Sequence, residues 1–132
     1  MKTTAIKPLR VAIIDDSVVI RQRLVAMIDE TPDISVVCTA TDGREGLECV
    51  LHHKPDVVIL DIRMPVMGGI EVLEALRQRD ATPTVLVLTN FPYPVYRKRC
   101  HELGAELFFD KSTEFAEAVQ ALRGIVPSGN GG

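Results

Sequence analysis

The stretch RVAIIDDS, residues 10–17, sets the first constraint on the fold of this chain. Its apolar run ends abruptly at two adjacent carboxylates, Asp15 and Asp16. The run is nearly continuous rather than alternating, which is typical of a strand buried on both faces of a parallel sheet. The end of such a strand would place two like charges beside low-dielectric protein, where their repulsion is strong. The acidic pair therefore requires a chemical explanation.

Four further apolar runs of strand length follow along the chain. They are ISVVCT (34–39), DVVIL (56–60), TVLVL (84–88) and ELFF (106–109). The segments between them have helical length, and Ile20, Leu24 and Ile28 in the first repeat at helical spacing. Strand and helix thus alternate, which predicts an α/β fold: a doubly wound (βα)5 sandwich with a five-stranded parallel sheet. Right-handed crossovers favour the flavodoxin-like strand order 2-1-3-4-5.

The bulk composition is that of an ordinary globular domain. The chain has 132 residues, of which 46% are hydrophobic and 25% charged, and we expect one domain over residues 9–126 with a flexible tail or linker start at 127–132. No apolar run approaches the length of a membrane span, and the N-terminus has no signal-peptide pattern, so a cytoplasmic location is expected. A net charge of −3 argues against direct nucleic-acid binding by the whole domain.

The three cysteines indicate neither a disulfide framework nor a metal site. Cys38, Cys49 and Cys100 are odd in number and widely spaced, without a CxxC pattern. We predict that all three are buried thiols.

Ionisable or hydroxyl-bearing residues stand at the carboxyl ends of four predicted strands. Asp15 and Asp16 follow the first, Asp61 the third and Thr89 the fourth, while Lys111 follows the fifth after one residue. Ligands of open parallel sheets bind outside these ends, where the strand order reverses. We therefore expect these side chains to converge on one pocket.

Each of these residues also has an ordinary structural explanation. Asp16 or Ser17 could be a helix N-cap, Thr89 could simply end a strand, and Lys111 could be a surface charge. Independent explanations of that kind would not be expected to select the same edge of one sheet. Their joint placement favours a functional site.

Such a pocket suits phosphoryl-transfer chemistry. Two carboxylates about 5 Å apart repel by about 3 kcal/mol at an effective dielectric constant near 20, which favours a bound cation. Oxygen ligands without imidazole or thiolate suit Mg²⁺, and a carboxylate can attack phosphorus to form an aspartyl phosphate.

The chain resembles the CheY-like receiver domains of bacterial two-component response regulators over about residues 9–124. The matching stretches are IIDDS (13–17), VVILDIRMPVMGG (57–69), VLVLTN (85–90) and GAELFFDK (104–111). The resemblance implies a phosphoacceptor domain of a phosphorelay rather than an enzyme, apart from its own phosphoryl uptake and hydrolysis. It implies Asp61 as the phosphoacceptor, with a histidine kinase or histidine phosphotransfer protein as donor.

The resemblance also implies a Mg²⁺ site and a switch. Asp16 would bind Mg²⁺ directly and Asp15 mostly through water, with Asp61 and the backbone carbonyl of Arg63 completing the protein ligands. Lys111 would pair with a phosphoryl oxygen, as would Thr89. Phe108 would be the aromatic switch residue, and the fourth helix, fifth strand and fifth helix would bind a downstream partner or a second copy.

Three positions depart from the usual pattern of the family, and one of them is Phe108, which lacks the hydroxyl of the tyrosine often found there. Ser112 follows Lys111 where a proline, often with a cis peptide bond, is usual, and Asn90 follows Thr89 in place of a small residue. Phe91 and Arg63 occupy positions from which side chains influence how fast water reaches the aspartyl phosphate. We expect the bulky Phe91 to slow hydrolysis.

Other functions remain open at this point. The chain could be a receiver-like binding module that works without phosphorylation, or the N-terminal receiver part of a DNA-binding response regulator. An aspartate-nucleophile phosphatase is disfavoured, because that class needs a second acid two residues after the nucleophile, where Asp15 is followed by Ser17 and Asp61 by Arg63.

Overall fold

The structure, a computed structural model, describes residues 7–125, in which five strands alternate with five helices. The elements are β1 (Leu9–Ile14), α1 (Val18–Asp29), β2 (Ile34–Ala40), α2 (Gly43–His53), β3 (Val57–Leu60), α3 (Gly69–Gln78), β4 (Thr84–Thr89), α4 (Pro94–Glu102), β5 (Leu107–Asp110) and α5 (Phe115–Arg123). All strand pairs are parallel, in the order β2-β1-β3-β4-β5. The predicted fold class and strand order are confirmed; the predicted tail, 127–132, lies outside the described residues.

Two apolar cores lie on opposite faces of the sheet. Helices α1 and α5 cover one face, where Leu24 and Val119 pack on side chains such as Ile13. Helices α2, α3 and α4 cover the other, where Leu73 packs near Ile14. The central strands are buried on both faces, which explains their nearly continuous apolar sequences.

A β-bulge in β2 changes which core its side chains enter. Val11 pairs with Val36 but Ala12 pairs with Cys38, so Val37 is an extra residue in β2. Side chains two apart on an uninterrupted strand share a face. Here Val36 packs with the α1–α5 core and Cys38 with the α2–α3–α4 core.

The prediction of three buried thiols is wrong for two of the cysteines. Cys38 on β2 and Cys49 on α2 are joined in a disulfide, and both are half-buried. The bulge is the physical reason, because it turns Cys38 toward the helix that contains Cys49. Cys100 is a buried free thiol, as predicted.

The helix ends leave the acidic pair free for other roles. Ser17 is the N-cap of α1, and its hydroxyl accepts the Ile20 N–H at 3.2 Å. Capping therefore does not involve the Asp16 side chain, which was the alternative. Helix α4 begins at Pro94 and stops before Gly104, whose φ of +86° suits glycine.

Candidate functional site

The carboxyl ends of the strands form a pocket in which four polar side chains are buried. Asp15 directly follows β1, Asp61 directly follows β3, Thr89 ends β4, and Lys111 directly follows β5; all four are less than a tenth exposed. The Asp61 N–H donates to the Ile14 carbonyl at 3.0 Å, which holds the ends of β1 and β3 side by side. The structure thus brings together the residues that the strand-end pattern selected.

Three carboxylates in this pocket form a possible cation site. Asp15 and Asp61 are 2% and 4% exposed, while Asp16 is exposed to solvent. One carboxylate oxygen from each lies within 4.8 Å of the other two. Three carboxylates with one of them exposed to solvent, and no imidazole or thiolate, fit a hard divalent cation such as Mg²⁺. Arg63, whose carbonyl was predicted to join them, is exposed on the loop after Asp61.

Lys111 neutralises part of the buried negative charge. Its ammonium group lies 2.8 Å from an Asp15 oxygen and 3.2 Å from an Asp61 oxygen. Burial opposes protonation, but the Asp15 hydrogen bond and both carboxylate charges outweigh it and raise the pKa of Lys111. Burial raises the pKa of Asp15, more than the hydrogen bonds from Lys111 and the Ser17 N–H lower it. The pocket thus holds a firmly protonated lysine beside a carboxylate whose ionisation is costly.

Backbone hydrogen bonds fix the position of Asp15. Its carboxylate accepts the Ser17 N–H at 2.8 Å, and its own N–H donates to the Ala40 carbonyl at 3.1 Å. The Arg21 guanidinium donates to the Asp15 carbonyl at 2.7 Å. The strand-end pattern did not select Arg21; its position one helical turn after Ser17 was the available signal.

The loop after Thr89 carries an aromatic side chain that contacts the loop after Asp61. The Phe91 N–H donates to the Thr89 hydroxyl oxygen at 3.1 Å, which fixes the start of this loop. The Arg63 guanidinium lies 4.3 Å from the centre of the Phe91 ring, within cation–π range. Sequence reasoning named both residues but did not identify the contact between them.

The turn after β5 holds Lys111 with an ordinary peptide bond. The Lys111 N–H donates to the Thr89 carbonyl at 2.7 Å. The Asp110 carboxylate accepts the Ser112 N–H at 2.9 Å and its hydroxyl at 2.7 Å. No peptide bond within residues 7–125 is cis, so Ser112 follows a trans bond. Phe108 is half-buried, with the Arg97 guanidinium 4.4 Å from its ring centre.

Comparisons with a family model and with curated proteins identify the same family. The sequence model described as "Response regulator receiver domain" matches residues 11–123. The transcriptional regulatory protein LiaR of Bacillus subtilis is 35% identical over 120 residues, covering 87% of this chain and 54% of LiaR. The protein-glutamate methylesterase/protein-glutamine glutaminase 1 of Myxococcus xanthus is 41% identical over 114 residues, covering 86% of this chain and 33% of that protein.

Solved structures agree with the sequence matches. The signal receiver domain of the putative response regulator NarL from Mycobacterium tuberculosis superposes with a TM-score of 0.82 at 32% identity, covering 89% of this chain and 94% of that one. The chain spans about half or less of the two curated relatives named above. Within residues 7–125, no helix has the length and apolar character needed to cross a bilayer.

Proposed function

The chain belongs to the response regulator receiver domain family, which is regulatory, and we propose that it acts as a phosphoacceptor signalling domain with Asp61 as the accepting residue. The donor would be a histidine kinase or a histidine phosphotransfer protein. The observation that supports Asp61 is its buried position at the end of β3, beside two further carboxylates and the Lys111 ammonium group. The domain would extend over residues 9–126 and work in the cytoplasm.

The geometry supports roles for the residues around Asp61. An Asp61 oxygen would bond to phosphorus as the P–N bond to the donor histidine breaks, and the released imidazole takes up a proton. Lys111 already lies 3.2 Å from Asp61 and would neutralise charge on the phosphoryl oxygens. The buried Thr89 hydroxyl would donate to another phosphoryl oxygen. Uptake and hydrolysis of its own phosphoryl group would be the only reactions of this domain.

The acidic trio would hold the metal that this chemistry needs. Asp15, Asp16 and Asp61, with the carbonyl of Arg63, would be the protein ligands. Bound Mg²⁺ supplies charge neutralisation for the phosphoryl oxygens. Without a cation, only Lys111 balances Asp15 and Asp61 among the residues described, so the acidic trio retains an excess of negative charge that attracts a divalent ion.

Phosphorylation would change the surface formed by α4, β5 and α5. Thr89 would move toward the phosphoryl group, and the loop it draws inward would leave room for Phe108 to turn toward the core. Phe108 is half-buried on β5 and in contact with Arg97 of α4, which supports a link between the pocket and this surface. The surface would bind a downstream protein or a second copy of the chain.

The decisive test uses a small phosphodonor. Wild-type protein incubated with acetyl phosphate and Mg²⁺ should gain one phosphoryl group by intact mass, and hydroxylamine should remove it. Asp61→Ala should gain none, whereas Asp33→Ala, which alters an exposed aspartate away from the pocket, should behave as wild type. A Mg²⁺-dependent, hydroxylamine-labile phosphate on Asp61→Ala would mean that another residue is the nucleophile.

A second candidate is the receiver part of a DNA-binding response regulator. The similarity to LiaR, a transcriptional regulatory protein of which the chain spans 54%, favours it. The natural reading frame beyond Gly132 decides: a DNA-binding domain would support this assignment. A domain of another class would exclude it without affecting the role of Asp61.

A further inference from the structure

We propose that Cys38 and Cys49 form a reversible redox modification site whose disulfide strengthens Mg²⁺ binding and phosphoryl uptake at the acidic pocket. The half of this inference that concerns phosphoryl uptake rests on the proposed function. The co-reactant would be a low-molecular-weight disulfide of the oxidised-glutathione class.

The backbone of β2 places the two cysteines together. The extra residue Val37 turns Cys38 to the face covered by α2, and the Cα atoms of Cys38 and Cys49 lie 6.3 Å apart. This separation lies in the range that a disulfide can bridge. Both residues are half-buried rather than enclosed, so small thiols and disulfides can reach them. In a cytoplasmic protein, a disulfide of this kind is typically redox-sensing rather than a permanent structural bond.

The segment closed by the disulfide contacts the end of β1, where the acidic residues begin. Within it, the Ala40 carbonyl accepts the Asp15 N–H at 3.1 Å. Gly46 lies against the Ile14 side chain so closely that an added Cβ would be 2.6 Å from it. The disulfide therefore closes a ring of backbone around contacts made directly to the end of β1.

The same segment also contacts the loop that follows Asp61. A Cβ at Gly43 would lie within 2 Å of the Met67 carbonyl oxygen, so the two backbones are in direct contact. With the disulfide reduced, the turn between β2 and α2 keeps the hydrogen bonds of Glu45 with Thr41 and Asp42 and the pairing of β2 with β1, but loses its covalent link. The contacts of this turn with the end of β1 and with the loop after Asp61 would then weaken. The carboxylates would be held less firmly in position.

The exchange reaction is balanced by the small disulfide. One cysteine thiolate attacks a sulfur of the small disulfide and expels a thiolate, giving a mixed disulfide. The second cysteine displaces the remaining small thiolate and closes the Cys38–Cys49 bond. Two electrons pass to the small disulfide, and the two protein thiol protons end on the released thiolates. Cys100 takes no part, because it is 1% exposed and burial raises the pKa of its thiol to about 11.

The test compares the full chain after equilibration with oxidised or with reduced glutathione, each state verified by intact mass and by mapping the linked peptides. Reduction should weaken Mg²⁺ binding, measured by calorimetry, and slow phosphorylation by acetyl phosphate, each by about fivefold. Cys49→Ser should behave as the reduced chain in both buffers. Cys100→Ala should keep the full response to redox state.

The outcomes separate this inference from the proposed function. Equal Mg²⁺ affinity and equal phosphorylation rate in the two states would overturn the inference, as would failure of Cys38 and Cys49 to pair in oxidised glutathione. If neither state takes up phosphate, the proposed function fails, and the redox site is then judged by Mg²⁺ binding alone. A difference in Mg²⁺ affinity between the oxidised and the reduced chain supports the redox site, and equal affinities overturn it.

Discussion

At the scale of single residues, the burial of Asp15 lowers the stability of the folded protein at neutral pH. Its carboxylate is buried, and desolvation raises its pKa above the ordinary value despite the hydrogen bond from Lys111. The unfolded chain therefore ionises Asp15 at a lower pH than the folded chain does. As the pH rises from 3.8 through the folded pKa, the unfolded state binds fewer protons than the native state, and stability falls.

The substitution Asp15→Asn should remove the loss of stability that comes from ionising a buried carboxylate. Without Mg²⁺, we expect the variant to exceed wild type in free energy of unfolding by about 1 kcal/mol at pH 7, with the difference shrinking toward pH 3. Urea unfolding of both proteins in EDTA, between pH 3 and pH 7, measures this difference in the free energy of unfolding. Asp16→Asn, at an exposed position, should change stability by less than about 0.5 kcal/mol. A less stable Asp15→Asn at pH 7 would show that the Lys111 pair outweighs burial.

Phe91 should control the lifetime of the aspartyl phosphate. Its ring lies 4.3 Å from the Arg63 guanidinium, and its N–H donates to the Thr89 hydroxyl; we expect the ring to limit the approach of water to the aspartyl phosphate. In Phe91→Ala, loss of phosphate after removal of the donor should be faster by about threefold, followed by intact mass. Tyr93→Ala, which removes a half-exposed ring further along the same loop, serves as the control. A phosphate that lasts as long or longer in Phe91→Ala contradicts this role.

Val66 shows backbone strain on the loop after Asp61. Its φ is +71°, a left-handed value that β-branched residues rarely adopt, and its side chain is 68% exposed. Val66→Asn should therefore stabilise the protein by about 1 kcal/mol in thermal or urea unfolding. Val95→Asn, equally exposed but in the first turn of α4, should give no gain. Equal effects at both positions would mean that the change comes from replacing an exposed apolar side chain with a polar one, and not from relief of backbone strain.

At the scale of elements, the apolar runs predicted each strand to within about one residue. The central strands β1, β3 and β4 are buried on both faces, so their sequences are apolar almost throughout and their limits are easy to recognise. The bulge at Val37 could not be predicted in the same way. An extra residue is defined by the partner strand, here by the pairing of Ala12 with Cys38, and not by the sequence of β2 itself. The disulfide depends on that bulge, which is why the cysteine spacing alone gave the wrong answer.

The packing of α2 on β1 depends on Gly46. A Cβ at this position would lie 2.6 Å from the Ile14 side chain, closer than atoms pack. Gly46→Ala should lower the free energy of unfolding by about 2 kcal/mol, in spite of the better helix propensity of alanine. Gly124→Ala meets only ordinary contacts from 3.5 Å outward and should be nearly neutral. If Gly46→Ala is as stable as Gly124→Ala, α2 moves more freely on the sheet than this packing indicates.

At the scale of the whole molecule, parallel strand ends explain why the site could be located from the sequence. Four strand ends meet at one edge, so residues far apart in the chain, such as Asp15, Asp61 and Lys111, are brought together by the topology alone. Contacts made by long side chains from loops and helices were not predictable. The Arg63–Phe91 stack depends on the paths of two loops, which no periodicity encodes.

Locating the acyl phosphate in the chain tests whether Asp61 is the residue that becomes phosphorylated. Borohydride reduces an aspartyl phosphate to homoserine, which peptide mass spectrometry can place in the sequence. After reaction with acetyl phosphate and Mg²⁺, we expect homoserine at position 61 and aspartate retained at positions 15 and 16. Homoserine at position 15 or 16, or at none of the three in a protein that has gained phosphate, would contradict the assignment of Asp61.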